Sequence, residues 1–181
     1  MSKMHQMQLS YVSTEDRILF RMNTKARQEF RFWMTRRYTF ILWKALSKLL
    51  AGDRGPSESG AEIPAAAMKD PIVESTKQEM KHQELVSKAD FETQYQESTY
   101  LPLGEEPALL FSVGMKTTPE GTPLLCMHPE NGQGIEMALN EQILHSLVKL
   151  IVDTTTKAGW RLDLRFVPPP QKGEGPPSGL N

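Results

Sequence analysis

Nine lysines and arginines fall between residues 17 and 48: Arg17, Arg21, Lys25, Arg27, Arg31, Arg36, Arg37, Lys44 and Lys48. Aromatic rings are interleaved with them, most densely in EFRFWMTRRYTFILWKAL over residues 29–46. Cations beside an exposed ring are what a single-stranded nucleic acid requires, the first to neutralise phosphates and the second to stack on bases. The same combination suits a protein interface centred on Trp33. A third reading is a solvated sheet face on which Trp33 packs against arginine stems. The candidate binding residues are therefore Arg17, Arg21, Arg31, Trp33, Arg36 and Arg37.

Other chemistry-bearing residues do not converge. His5, His82, His128 and His145 are scattered, and no HxxxH, CxxC or HxH spacing offers a set of metal ligands. Cys126 occupies a strand position expected to face the core, where a small buried hydrophobe is the default reading. It shares a strand side with His128, but direction alone does not make a thiolate–imidazole pair. Glu105 and Glu106 are loop charges ahead of a strand. Gly132-Gln133-Gly134 precedes a strand, whereas phosphate loops precede helices, so it reads as a turn. The expectation is a non-enzymatic protein with no catalytic residues, no metal and no cofactor.

Phe30, Phe32 and Met34 alternate with Glu29, Arg31 and Trp33, a strand signal. After Thr35 the period changes. Tyr38, Ile41, Leu42, Ala45, Leu46, Leu49 and Leu50 recur at spacings of three and four, one face of a helix. Thr35 stands where an N-cap belongs, and Gly52 where a left-handed residue ends the helix. On the strands, Arg17, Leu19 and Arg21 share one side and Ile18, Phe20 and Met22 the other, so Arg17, Arg21, Arg31 and Trp33 are expected together on the face away from the core.

Residues 134–151, GIEMALNEQILHSLVKLI, run in the same register. Ile135, Met137 and Leu139 match Phe30, Phe32 and Met34; Asn140 matches Thr35; Leu147, Val148 and Ile151 match Leu42, Trp43 and Leu46. Upstream, RILFRM (17–22) parallels PLLCMH (123–128), one residue out of step, and QLSYVS (8–13) and ALLFSVGM (108–115) read as first strands. Turn residues separate them at 14–16, 25–27, 119–121 and 131–134. The predicted fold class is α+β: two tandem β-β-β-α repeats, residues 1–51 and 108–166, forming a pseudo-symmetric antiparallel sheet assembly with two packed helices. Residues 52–107 read as an acidic, partly disordered linker with a possible helix, and 167–181 as a disordered Pro/Gly-rich tail.

Charge follows the same division. Residues 1–51 carry +7, residues 52–107 carry −7 and residues 108–181 carry −1, which together make the net −1. Such a split predicts an acidic partner for the basic face, either another molecule or the chain's own middle. No apolar run approaches the roughly 18 residues that cross a bilayer, and no apolar segment follows the N-terminus, so neither a membrane nor a secretory signal is expected. One cysteine rules out an internal disulfide and fits a reducing, cytoplasmic compartment.

RILFRMN, EFRFWMT and RRYTFILWKALSKLL, a basic strand leading into a last strand and an amphipathic helix, resemble the repeat of the Pur-alpha-type single-strand-binding fold, and more loosely the Whirly-type fold. The likeness is one of topology over about 45 residues in each half; those families use four strands per unit where three are read here. It implies single-stranded DNA or RNA as a ligand. NT, FRFW and TRR ahead of an apolar helix are also similar to small uncharacterised proteobacterial proteins, which brings no function with it. The expected function is an interaction protein, self-associating as a homodimer or serving as an adaptor for a protein partner through the basic aromatic face, with single-stranded nucleic acid as the alternative ligand.

Overall fold

The computed structural model of the chain describes residues 4–50, 71–162 and 164, with the side chains of 71–75 outside that description. The expected helix stop at Gly52, the flexible stretch from Gly52 to Pro64 and the tail from Val167 lie outside the described residues. The elements are β1 (Met4–Val12), β2 (Arg17–Thr24), β3 (Glu29–Met34), α1 (Arg36–Leu50), α2 (Pro71–Ser87), β4 (Ala108–Thr117), β5 (Pro123–Pro129), β6 (Ile135–Ala138) and α3 (Glu141–Lys157).

The change of period at Thr35 is the boundary between β3 and α1. Thr35 caps the helix: the Tyr38 amide donates to its Oγ1 at 3.1 Å, and the Thr39 amide to its carbonyl at 2.9 Å. Asn140 does the same for α3, taking the Ile143 amide on Oδ1 at 2.8 Å. At the other end of α3, Gly159 adopts φ 65°; its amide donates to Thr156 O and the Trp160 amide to Thr155 O, a Schellman turn that a side chain at 159 would strain.

All six strands form one sheet in sequence order. The expectation of an antiparallel assembly needs correcting: β3 and β4 pair in parallel, Phe32 opposite Ala108 and Trp33 opposite Leu109, so the sheet is mixed. The physical reason is the connection. Strands joined by a tight turn run antiparallel, whereas β3 and β4 are separated by α1, α2 and an extended segment, a crossover long enough to return the chain to the starting end.

One sheet face carries the core. Ile18, Phe20, Met22, Phe32, Met34, Leu110, Leu125, Met127, Ile135 and Met137 pack there against Tyr38, Leu42, Trp43 and Leu46 of α1 and Leu144, Leu147, Val148 and Ile151 of α3. The strand register is as read from the alternation, with Phe32 fully buried and Phe30 half-buried against the same cluster. In α1 the apolar arc is rotated from the expected one. It centres on Tyr38, Leu42 and Leu46, so it takes in Thr39 and Trp43 and leaves Ile41 exposed on its flank. Cys126 also departs from expectation. Pairing opposite Gly114 and Glu136, between core-facing Leu125 and Met127, puts it on the other sheet face. Gly134 allows the β5–β6 connection to close, since a Cβ there would lie 2.3 Å from the Met127 carbonyl oxygen.

Two packed helices become three among the described residues, because the possible helix of the acidic middle is present as α2, which packs on α3. Its sequence has no continuous apolar stripe, and its attachment is correspondingly polar: Lys81 Nζ lies 2.6 Å from Glu141 Oε1, and Gln142 Nε2 donates to Leu85 O at 2.9 Å.

Candidate interaction face

The sheet face opposite the helices is built by strand register. Gln8, Arg21 and Arg31 form one row across β1, β2 and β3. Ser10, Leu19, Trp33 and Leu109 form the next, running on into β4. Arg17 lies two residues before Leu19, on the same side of β2. Four of the six candidate residues, Arg17, Arg21, Arg31 and Trp33, thus share this face, as their alternation requires. Arg36 and Arg37 do not join them. Both are exposed in the first turn of α1, which packs on the opposite face, and Arg36 donates to the Arg161 carbonyl at 3.4 Å.

Residues 93–100, expected to be linker, lie across the first row. Arg21 is engaged on three sides: its guanidinium donates to Gln8 Oε1 and to Glu97, and its Cζ sits 4.9 Å from the centre of the Tyr95 ring. Arg31 Nε donates to Glu29 Oε1 at 2.7 Å. Glu29 is fully buried beneath this strap, its second oxygen accepting from the Ser98 amide at 2.6 Å. That carboxylate holds the Arg31 guanidinium still more firmly in its charged form. The Ser98 hydroxyl donates to Arg27 O, Asn23 Nδ2 to Gln96 O, and the Glu29 amide to Tyr100 O. Burial pushes the Tyr95 phenol of the strap itself well above its ordinary range, so it stays neutral. Arg17 is left at the rim, 3.8 Å from Glu15 and more than a third exposed, a contact of little energetic weight.

What the strap leaves open is apolar. Leu19 and Trp33 are half-buried, while Leu109 is 44% and Phe111 64% exposed, with Tyr100 exposed at the strap's end. The part of the face beyond β4 is closed by Lys116, paired with Glu136 at 2.6 Å, above Cys126. The Cys126 thiol is buried and donates toward Glu136 at 3.7 Å; burial first, and Glu136 second, raise its pKa, the reverse of what activates a thiol nucleophile. Among the described residues no group of three or more His, Cys, Asp or Glu is placed to hold a metal ion.

Two arrangements were not legible in the sequence. Tyr11 Oη and Trp160 Nε1 both donate to Asp16 Oδ1, at 2.9 and 3.1 Å, and the two rings meet edge to face. His82 and His145, 63 residues apart, meet between α2 and α3 with their Nδ1 atoms 2.9 Å apart. Neither pair has a spacing signature, because each depends on where a segment without apolar periodicity docks. Among the described residues no helix is long and apolar enough to cross a membrane. No protein family, curated protein or solved structure matches the chain.

Proposed function

We propose that this is a non-enzymatic interaction protein that associates with a protein partner, in the first place a second copy of itself, through the uncovered part of its outer sheet face. The observation that carries the reading is the row Leu19, Trp33 and Leu109, in register across three strands and continued by Phe111, with no helix over it among the described residues. Scattered exposed apolar residues need no explanation, but a contiguous set around a tryptophan is the usual centre of an interface. Arg17 and the edge of Arg31 supply a basic rim. Sedimentation at increasing concentration tests the reading. The wild-type chain should associate, and Phe111→Asp should shift it toward monomer without loss of fold. Equal association of the two chains would remove this face from the interface.

A single-stranded nucleic acid on the same face is the second reading, favoured by one contact. The strap places an aromatic ring over Arg21 and an anion against its guanidinium, the two things a nucleotide would supply. Replacing residues 93–100 by a Gly/Ser segment should then create binding to a mixed oligonucleotide, with a log–log salt slope of about −0.7 for each phosphate contact. No binding at low salt would leave the protein-interface reading alone.

Internal duplication belongs to the same proposal. It is supported by the repeated order of three strands and a helix, and by burial of Leu42, Trp43 and Leu46 in one half and of Leu147, Val148 and Ile151 in the other. Strand directions repeat along the sheet, so the relation we infer is a step along the sheet and not a two-fold axis. A cytoplasmic location, argued from composition, completes the reading.

A further inference from the structure

His82 of α2 and His145 of α3 face one another with Nδ1 to Nδ1 at 2.9 Å, ring centres 5.1 Å apart and planes tilted by 39°. At that separation one nitrogen must bring a hydrogen and the other a lone pair. Two neutral rings meet this with opposite tautomers. A first proton taken on Nε2 of the donor ring leaves the bond intact. A second must occupy the accepting Nδ1, which sets two N–H groups head-on and two cations side by side.

The surroundings make that second proton costly. Lys149 and Glu79 face His82, and Lys81 and Glu141 face His145. Lys149 is itself tied to Asp153, and Lys81 to Glu141; the exposed Glu79 favours a charged His82, but burial and Lys149 act more strongly in the other direction. Burial, the largest influence, pushes both imidazoles below their ordinary value, and the lysines push the same way. The described part of α2 has a small apolar hold: Met80 is exposed and Leu85 and Val86 are half-buried. Its polar contacts include the exposed Lys81–Glu141 pair and the Gln142–Leu85 hydrogen bond, with Lys149 over the Phe91 ring just beyond the helix.

We propose that the His82–His145 contact is an acid-released latch: α2 stays docked on α3 at neutral pH and detaches as the pair takes up its second proton. The sign follows from the neutral rings being favoured in the docked form. Docking is at full strength above the ordinary imidazole value of about 6.5 and weakens as pH falls below it. Because α2 runs on into the strap over Arg21, its release removes one of the two anchors of the segment that covers the basic row. The latch itself does not depend on what the outer face binds.

Hydrogen exchange on the full-length chain, corrected for the intrinsic pH dependence of exchange, is the test. Peptides from 76–87 should lose protection by about ten- to a hundredfold per pH unit below roughly 6.5, the slopes for one and two linked protons, while β2 and the second half of α3 keep theirs. His82→Asn retains a side-chain hydrogen-bonding group that does not titrate, and should make α2 protection constant over the same range. Were His82→Asn to undock α2 at every pH, the imidazole resonances of the wild-type chain decide: His82 and His145 should titrate in two coupled steps, the lower well below the ordinary value. Constant α2 protection in the wild-type chain, a pH dependence that survives in a docked His82→Asn chain, or two independent titrations at the ordinary value would each overturn the latch.

Discussion

Asp16 holds three parts of the chain with one oxygen. It sits at φ 49° in the β1–β2 turn, a conformation that aspartate tolerates better than most residues, and receives Tyr11 Oη and Trp160 Nε1. The Trp160 hydrogen bond, then the Tyr11 bond, then the nearby Arg36 charge hold its carboxyl below the ordinary carboxylate range. Arg36 thus lies beside Asp16 and the Arg161 carbonyl, away from the outer face. A lowered carboxylate value means a contribution present above the ordinary value near 4 and lost as pH falls through the lower, folded one. Acidification below about pH 4 should therefore release Trp160, seen as a red shift of its emission, and Asp16→Asn should flatten that part of the profile. A second prediction concerns Tyr38, whose hydroxyl is buried without a hydrogen-bond partner among the described residues. Burial pushes its pKa far above the ordinary phenol value. An unpaired buried hydroxyl costs about 1–3 kcal/mol, so Tyr38→Phe should leave stability unchanged or raise it by up to about 1 kcal/mol in a urea melt.

The elements differ in what keeps them in place. α1 and α3 are held by apolar faces and by side-chain caps, and α3 also has Glu141 in its first turn and Lys157 in its last, both favourable to the helix dipole. Asn140→Ala should cost about 1 kcal/mol, measured as a lowered urea midpoint with an unchanged slope. The strap is held chiefly by polar contacts, Ser98 on Glu29 and Arg27, Glu97 on Arg21, and Gln96 on Gln6 and Asn23, with the half-buried Tyr95 ring against Arg21. Replacing Glu97 by Lys sets two cations together and should raise hydrogen exchange over residues 93–100 severalfold, while exchange in β2 and β3 stays as in wild type. Equal protection in the two chains would mean that the Arg21 contact contributes nothing to holding the strap.

At the scale of the whole molecule, the opposed charges of the first half and the middle meet within the chain: Glu97 reaches Arg21 across 76 residues. The parallel join of β3 and β4 makes one sheet, and a single core cluster contains Phe20, Phe32 and Leu46 from one half with Leu125, Leu147 and Ile151 from the other. Each half alone would expose its edge at that join. The chain should accordingly unfold as one cooperative unit, with calorimetric and van't Hoff enthalpies agreeing, and a fragment ending at residue 51 should show no cooperative transition. Two separated transitions would show that the halves are independent.

Local rules determined much of this protein from sequence alone. Alternation placed Ile18, Phe20 and Phe32 on one side and Arg21, Arg31 and Trp33 on the other, because side-chain direction along a strand has a period of two whatever the partner. Thr35 and Asn140 marked helix starts because capping needs only neighbours in sequence. The direction of β4 against β3, the burial of Glu29, the pairing of His82 with His145 and the engagement of Arg21 were decided by the tertiary structure. Each rests on where the segment from 71 to 107 docks, and that segment docks largely by individual hydrogen bonds and ion pairs, with isolated apolar contacts such as Leu103 on the core, which leave no periodicity to read. Five candidate cations, Arg17, Arg21, Arg31, Arg36 and Arg37, were legible in the sequence; that the strap engages Arg21, and that Arg31 is held by a carboxylate buried beneath the strap, was a matter of contacts between distant residues.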